Sequence, residues 1–232
     1  MDEKIFYQEK NKEGDSNQYQ TPEGFAKYEI RKKTIKIKDT SDVVLTVKSS
    51  RHGPIMNDLL DRLDSIITLL EQDKSIGLVG INMLDANQNY IPAAGNFPNF
   101  RNMFQFQKLL DLGIEFKNGK FSKEHYEVGW LSGSFLFLSK ETYIKINGFD
   151  EDYFMYVEDV DFCKKVANIG LKRVFIPGLS YIHYVGFNKK KNPMLVKGYK
   201  IYINKHFKGI PLLLISIALT INSFVKNIKS RF

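Results

Sequence analysis

The side chains with chemical potential gather between Gly129 and Gly186. Three carboxylates fall within four residues, Glu158-Asp159-Val160-Asp161. Charges this close repel one another. A helix N-terminus tolerates them, because its free N–H groups and positive dipole end favour anions. Such a cluster either caps a helix or presents a carboxylate that can take a proton from a hydroxyl. His183 lies in the aromatic run Tyr181-Ile182-His183-Tyr184, where a histidine can be a hydrogen-bonded core residue as well as a ligand. Trp130 is the only tryptophan and stands beside Ser132-Gly133-Ser134. Taken alone it reads as a core aromatic. Asn147-Gly148-Phe149-Asp150, taken alone, is a turn.

The elements that must hold these residues follow from the apolar spacing. Tyr28 to Val47 alternates and is rich in β-branched residues, which predicts two strands joined near Asp39-Thr40-Ser41-Asp42. Leu59, Leu63, Ile66, Ile67 and Leu70 form a helical stripe over about 57–72. Ile76 to Ile81 is a short apolar run, read as a buried strand, and 85–89 a turn. Residues 100–128 carry no clear period. Trp130 to Leu138 is apolar, and Ser139 can cap a short helix that ends at Asn147-Gly148. A second helix is predicted from Asp159 to Ile169, with Phe162, Val166 and Ile169 on one face and Gly170 as its stop. Arg173 to Ile176 and Ser180 to Val185 read as strands on either side of Pro177. Helices alternating with short strands make the fold α/β.

In order along the chain come Gly129-Trp130-Leu131-Ser132-Gly133-Ser134, Gly148-Phe149-Asp150-Glu151, Phe154-Met155-Tyr156-Val157-Glu158-Asp159-Val160-Asp161, then Cys163, Gly170, Pro177 and His183. This series resembles the acceptor-side half of family 2 glycosyltransferases, especially the bacterial rhamnosyltransferase-like group. That group has a W-(L/M)-S-G-(A/S) strand, a G-G-F-D-E turn, an F-x-Y-x-E-D-V-D-x-C helix start and a P-x(5)-H ending. Asn147 stands where the first glycine of the turn would be. A weaker likeness runs back to about Asn57.

The resemblance implies a GT-A-like α/β fold, a mixed sheet flanked by helices. It implies an inverting transfer of a sugar from a nucleotide-sugar to an acceptor hydroxyl. Asp159 matches the base that would deprotonate that hydroxyl. Glu158 and Asp161 would shape the acceptor site or hold Asp159, and Trp130 would offer a flat face to a sugar ring. His183 matches a position that in some relatives helps to bind a divalent metal, Mg²⁺ or Mn²⁺, which neutralises the departing diphosphate.

The donor half of the pattern is shortened. Relatives carry a D-x-D or N-P-D motif at a strand end, but here Thr46-Val47-Lys48-Ser49-Ser50 holds no Asp, and Asp39-Thr40-Ser41-Asp42 is spaced D-x-x-D. Three readings stay open: a transferase with an unusual donor site, a non-catalytic relative that binds glycan or a partner transferase, and a truncated gene product.

Charge separates the chain into parts. The 232 residues carry a net +8, from 34 Lys+Arg and 26 Asp+Glu. Every acidic residue lies at or before Asp161, and ten Lys/Arg follow Val185. Hence the expected division: a polar leader over 1–25, a partial GT-A domain over 26–185, and a basic tail over 186–232. The uncharged, mostly apolar stretch from Gly209 to Val225 sits within that tail, with Ser216, Thr220, Ser223 and Asn227 as a narrow polar stripe. A helix lying in a membrane interface, or packed on the body, fits it better than a clean span. Lysines on both sides suit an anionic membrane surface. This predicts a cytoplasmic protein, peripheral on the inner face of the plasma membrane, acting on a lipid-linked or cell-surface glycan. No nucleic-acid motif accompanies the basic residues. The single Cys excludes a disulfide framework and a multi-Cys zinc site.

Overall fold

The computed structural model describes residues 18–21, 24–27, 29–37, 41–49, 63–183 and 191–229, with side chains described over 65–183 and 193–226. Strands β1 (Gln18–Thr21) and β2 (Gly24–Lys27) pair as a small hairpin within and just beyond the stretch read as a leader. Strands β3 (Glu29–Ile37) and β4 (Ser41–Ser49) pair antiparallel from Glu29↔Ser49 to Ile37↔Ser41, the two strands expected from the alternation. Helix α1 (Leu63–Gln72) is the described part of the stripe over 57–72, whose first residues lie outside the described ones.

Strand β5 (Ile76–Leu84) follows, then the short strands β6 (Tyr90–Ile91) and β7 (Ala94–Gly95). The stretch without a clear period holds helix α2 (Phe100–Met103), a 3-10 turn over Phe106–Leu110, helix α3 (Ile114–Asn118) and strand β8 (Tyr126–Glu127). Elements of five residues or fewer complete barely one turn of a periodic pattern, so apolar spacing cannot reveal them. Next come strands β9 (Trp130–Leu131) and β10 (Phe135–Ser139), helices α4 (Lys140–Lys145) and α5 (Glu158–Asn168), and strand β11 (Lys172–Ile182). Helices α6 (Lys191–His206) and α7 (Gly209–Lys229) close the chain.

The main sheet runs β3-β4-β10-β5-β11-β8, with β6 paired to β5. Among the described strands of this sheet only β5 and β11 pair in parallel; the other neighbours are antiparallel. This is the mixed α/β sheet with flanking helices and a C-terminal apolar helix that the GT-A-like expectation describes. β5 is apolar at nearly every position because it is covered on both faces. Its first glycine marks a close approach: a Cβ on Gly77 would lie 2.5 Å from Leu171 Cβ and 2.9 Å from Val166 Cγ1. β11 is one strand where two were expected. A register shift between Ile176 and Ser180 absorbs Pro177, which has no N–H to give the ladder.

Two apolar clusters fill the body. One lies about the central sheet and α5, with Leu78, Leu136, Phe137, Phe162, Val166 and Phe175 fully buried. The other joins Met103 and Phe106 to Tyr153, Val157 and Val160, and takes Tyr199, Tyr202 and Ile203 from α6 and Ile215, Ala218 and Leu219 from α7. Packing therefore does not follow the charge boundary at Val185: α6 and α7 complete a core that the preceding domain leaves open.

Substituting Gly77→Ala forces a methyl into the Leu171–Val166 contact, and the backbone or both neighbours must give. A loss of about 1–3 kcal/mol in unfolding free energy is expected, read from the midpoint shift in urea at constant slope.

Candidate active site

Helix α5 begins at the carboxylate cluster, with Glu158, Asp159 and Asp161 in its first turn. The dipole favours their ionised forms there. The residue ahead of the helix, Val157, gives no side-chain cap. Asp159 does part of that work itself: its Oδ1 accepts from the Val160 N–H at 2.9 Å. Its Oδ2 accepts from the Gly133 N–H, also at 2.9 Å. The carboxylate is thus aimed by two backbone donors, one local and one 26 residues away. Gly133 allows the approach, since a Cβ there would sit 3.1 Å from Asp159 Cβ.

The Ser132-Gly133-Ser134 loop is itself anchored. The Ser132 N–H donates to the Ala93 carbonyl at 2.7 Å, and the two serine hydroxyls lie 2.9 Å apart. Ser134 also shares a short hydrogen bond with the Tyr181 hydroxyl. Burial pushes the Tyr181 phenol well above its usual range, the bond to Ser134 only partly offsetting it. Behind the loop, the Leu131 N–H donates to Cys163 Sγ at 3.2 Å. Burial likewise raises the Cys163 thiol far above the ordinary cysteine value, so it stays a neutral core group. Cys163 thus joins α5 to β9.

The four residues expected around the acceptor occupy different settings. Asp159 and Glu158 are half-buried at the start of α5. Trp130 is half-buried against both apolar clusters, its indole over Gly95, where a Cβ would lie 2.5 Å from the ring nitrogen. The ring nitrogen is buried without a hydrogen-bond partner. Asp161 is 2% exposed and turned inward. Its Oδ1 lies 2.7 Å from His206 Nε2 on α6 and accepts from the Tyr153 hydroxyl at 3.1 Å, while Oδ2 has no partner. The structure thus places Asp161 in the joint between α5 and α6. Burial, reinforced by the Asp161 charge, drives the Tyr153 phenol far above its usual range, so it remains a donor.

His183 directly follows β11: its N–H donates to the Leu84 carbonyl at 2.8 Å, and its ring sits edge-on to Tyr181. Among the described residues no group of three or more His, Cys, Asp and Glu side chains is close enough to hold a metal ion. One imidazole is too small a donor set for Mg²⁺ or Mn²⁺, which require several oxygen ligands. The described residues therefore do not by themselves fit a metal site. The D-x-x-D alternative lies outside the described side chains: Asp42 stands opposite Lys36 in the backbone register of β3 and β4, and Asp39 and Thr40 fall outside the described residues.

Sequence reasoning missed three partners of this site. Gly133 was visible only as a small residue between serines. Tyr153 sits in a stretch legible only as aromatic and acidic, and His206 carries no sequence signal. Nothing local marks His206, which meets Asp161 from 45 residues away.

With this geometry in hand, the relatives can be set beside it. Residues 116–190 match a family model described as the N-terminal domain of galactosyltransferase. A second model, penicillin amidase, matches residues 1–113. The described part of that second stretch from residue 63 supplies α1 and β5, which build the same sheet and core as residues 116–190. The chain is 30% identical over 81 residues to rhamnosyltransferase WbbL of Escherichia coli (strain K12), which is 35% of this chain and 30% of that protein. It is 38% identical over 66 residues to an N-acetylglucosaminyl-diphospho-decaprenol L-rhamnosyltransferase of Mycobacterium tuberculosis, 28% of this chain and 22% of that protein. The chain thus matches less than a third of the length of these curated relatives. Over the matched residues the chain is similar to these rhamnosyltransferases, in keeping with the resemblance carried by the motifs of 129–186.

Replacing Asp161 by Ala removes the acceptor shared by Tyr153 and His206 inside the protein. A loss of about 2–4 kcal/mol in stability is expected. Because the two residues act as a pair, His206→Ala added to it should cost far less than His206→Ala alone. A double-mutant cycle in urea checks this; simple additivity would deny the coupling.

Proposed function

We propose that this protein transfers a sugar, with inversion, from a nucleotide-sugar to a hydroxyl of a lipid-linked or cell-surface glycan, and that Asp159 is the base. The observation that carries the reading is the carboxylate of Asp159, held by the Gly133 and Val160 N–H groups at the start of α5. It lies within the stretch similar to glycosyltransferases. A base must be aimed before it can be useful, and two backbone donors from different elements aim it. Asp159 takes the hydroxyl proton as the acceptor oxygen bonds to the anomeric carbon. The bond from that carbon to the diphosphate breaks, and its electron pair leaves with the nucleoside diphosphate. Attack from the side opposite the leaving group inverts the centre. Glu158, beside Asp159, and Trp130, the half-buried aromatic, are the further candidates for acceptor contact.

A lipid-linked acceptor is supported from two sides. One similar protein carries N-acetylglucosaminyl-diphospho-decaprenol in its name. The second support is α7, the one helix among the described residues that is long and apolar enough to cross a membrane by length and composition. Its Ile215, Ala218, Leu219 and Asn222 are buried, and Asn222 donates to the Met103 carbonyl at 2.8 Å. Ile210, Leu213, Leu214, Ile217, Ile221 and Phe224 remain exposed. A spanning orientation would pull the buried face out of the second apolar cluster. We therefore assign the exposed face to the interface of an anionic membrane, on the cytoplasmic side, with α7 lying in its plane. The cations do not contribute equally. Lys226 sits 4.1 Å from the Phe106 ring centroid, and burial lowers its pKa. Lys205 pairs with Asp150 and Asp152. Lys197, Lys200 and Lys208 are exposed and remain for lipid head groups.

Asp159→Asn keeps the shape and removes the basicity. Transfer in an assay with a matched donor and acceptor should fall by about 10²–10⁴, with the unfolding midpoint unchanged. Undiminished transfer would mean that Asp159 is not the base.

The double variant Leu213→Asp, Ile217→Asp should bind vesicles containing anionic lipid at least tenfold more weakly than the parent in a sedimentation assay. Equal binding by both proteins would remove α7 from the interface.

A further inference from the structure

The loop from Asp150 to Val157 leads directly into the candidate base, and it ends in an unfavourable backbone. Tyr156 has φ 65° and Val157 φ 73°, consecutive left-handed residues without a glycine. For β-branched Val157 this conformation is an outlier. It persists only where surrounding contacts overdetermine it.

Those contacts come from α6. Val157 is 2% exposed and belongs to the apolar cluster to which α6 gives Tyr199, Tyr202 and Ile203. Gly198 brings the helix backbone against the strained pair: a Cβ there would lie 2.8 Å from the Tyr156 carbonyl oxygen and 2.8 Å from Val157 Cγ2. Two turns further along, Lys205 binds Asp150 and, at 2.6 Å, Asp152. The next residue, His206, reaches Asp161 at 2.7 Å. One helix therefore holds the beginning of the loop, its strained end, and the first turn of α5. Asp159 lies between two of these points, Val157 and Asp161. Its distant anchor, the Gly133 N–H, approaches from the β9–β10 loop.

We infer that α6 is the positioning element of the candidate base, with Gly198 the residue on which the positioning depends. This rests on reading Asp159 as the base. The helix lies outside the stretch similar to glycosyltransferases, which ends at residue 190, and neither its charge nor its composition suggests a part in catalysis. A shift at Val157 passes to Asp159 because the first helical hydrogen bond, from the Asp161 N–H to the Val157 carbonyl at 2.9 Å, spans it. The competing account is that the buried face of α5, with Phe162, Cys163 and Val166, fixes Asp159 without help.

The test is Gly198→Ala in the full chain, read by amide hydrogen exchange and by sugar transfer. The added methyl meets a backbone oxygen, which no rotamer change relieves. The Gly133 and Val160 amides, both donors to Asp159, should lose protection at least tenfold, while the amides of β5 and β11 stay within twofold. Transfer should fall at least tenfold in kcat, with KM for donor and acceptor within about threefold. Val157→Gly added to this variant removes Cγ2 and accepts a positive φ, and should restore part of the protection. Unchanged protection at Gly133 and Val160 would overturn the inference and leave α5 packing as the sole support. Should Gly198→Ala also lose β5 and β11 protection, Lys205→Ala, at a more accessible contact, decides by the same two amides. If Asp159→Asn transfers normally, the base assignment falls, and the exchange result still decides whether α6 sets that carboxylate.

Discussion

Two left-handed residues in succession, Tyr156 and Val157, set a condition that much of this structure meets. Such a backbone does not persist on local preference, least of all at valine. It requires a well-packed wall on the Val157 side and close backbone contact beside it. α6 supplies both, through Tyr199 and Tyr202 and through the missing side chain of Gly198. The turn it creates starts α5 with its carboxylates facing two ways. Asp161 goes inward to Tyr153 and His206, and Asp159 stays half-exposed against the Gly133 N–H. Nearby carboxylates thereby acquire different work from environment alone.

The central strands explain why the other half of the site holds still. Among the described strands β5 and β11 are the one parallel pair, both largely covered, and the β9–β10 loop carrying Gly133 sits beside them. Cys163 ties α5 to β9 through the Leu131 N–H, and Ser134 ties the loop to Tyr181 on β11. Burial pushes the Cys163 thiol and the Tyr181 phenol further from ionisation. Neutral groups close to the candidate base strengthen the frame without competing for its charge.

The tail changes meaning in this light. Its ten cations suggested a region concerned with location only. Three-dimensional packing divides the work: α6 faces the body with aromatic side chains and spends Lys205 and His206 on its carboxylates, while α7 keeps an apolar face outward. Body and tail share one apolar cluster, to which α6 and α7 both contribute. Lys205 and His206 are the complements of Asp150, Asp152 and Asp161, while Lys197, Lys200 and Lys208 stay exposed.

The candidate base comes from the family resemblance; the sequence by itself determined the class of fold, the strands β3, β4 and β5, the cap at Ser139, and the start and stop of α5. These rest on local physics: apolar periodicity, Ser139 as a cap, carboxylates at a helix N-terminus, Gly170 with φ 80° at its end. It also determined a family likeness through motif spacing over 129–186. Tertiary structure alone decided which carboxylate faces inward, that β11 runs through Pro177 as a single strand, and that a glycine and a histidine of the tail reach the site. The reason is the range of the forces involved. Caps and periods act over a few residues, whereas Asp161 and His206 meet across 45 residues, and only the packed core brings them together.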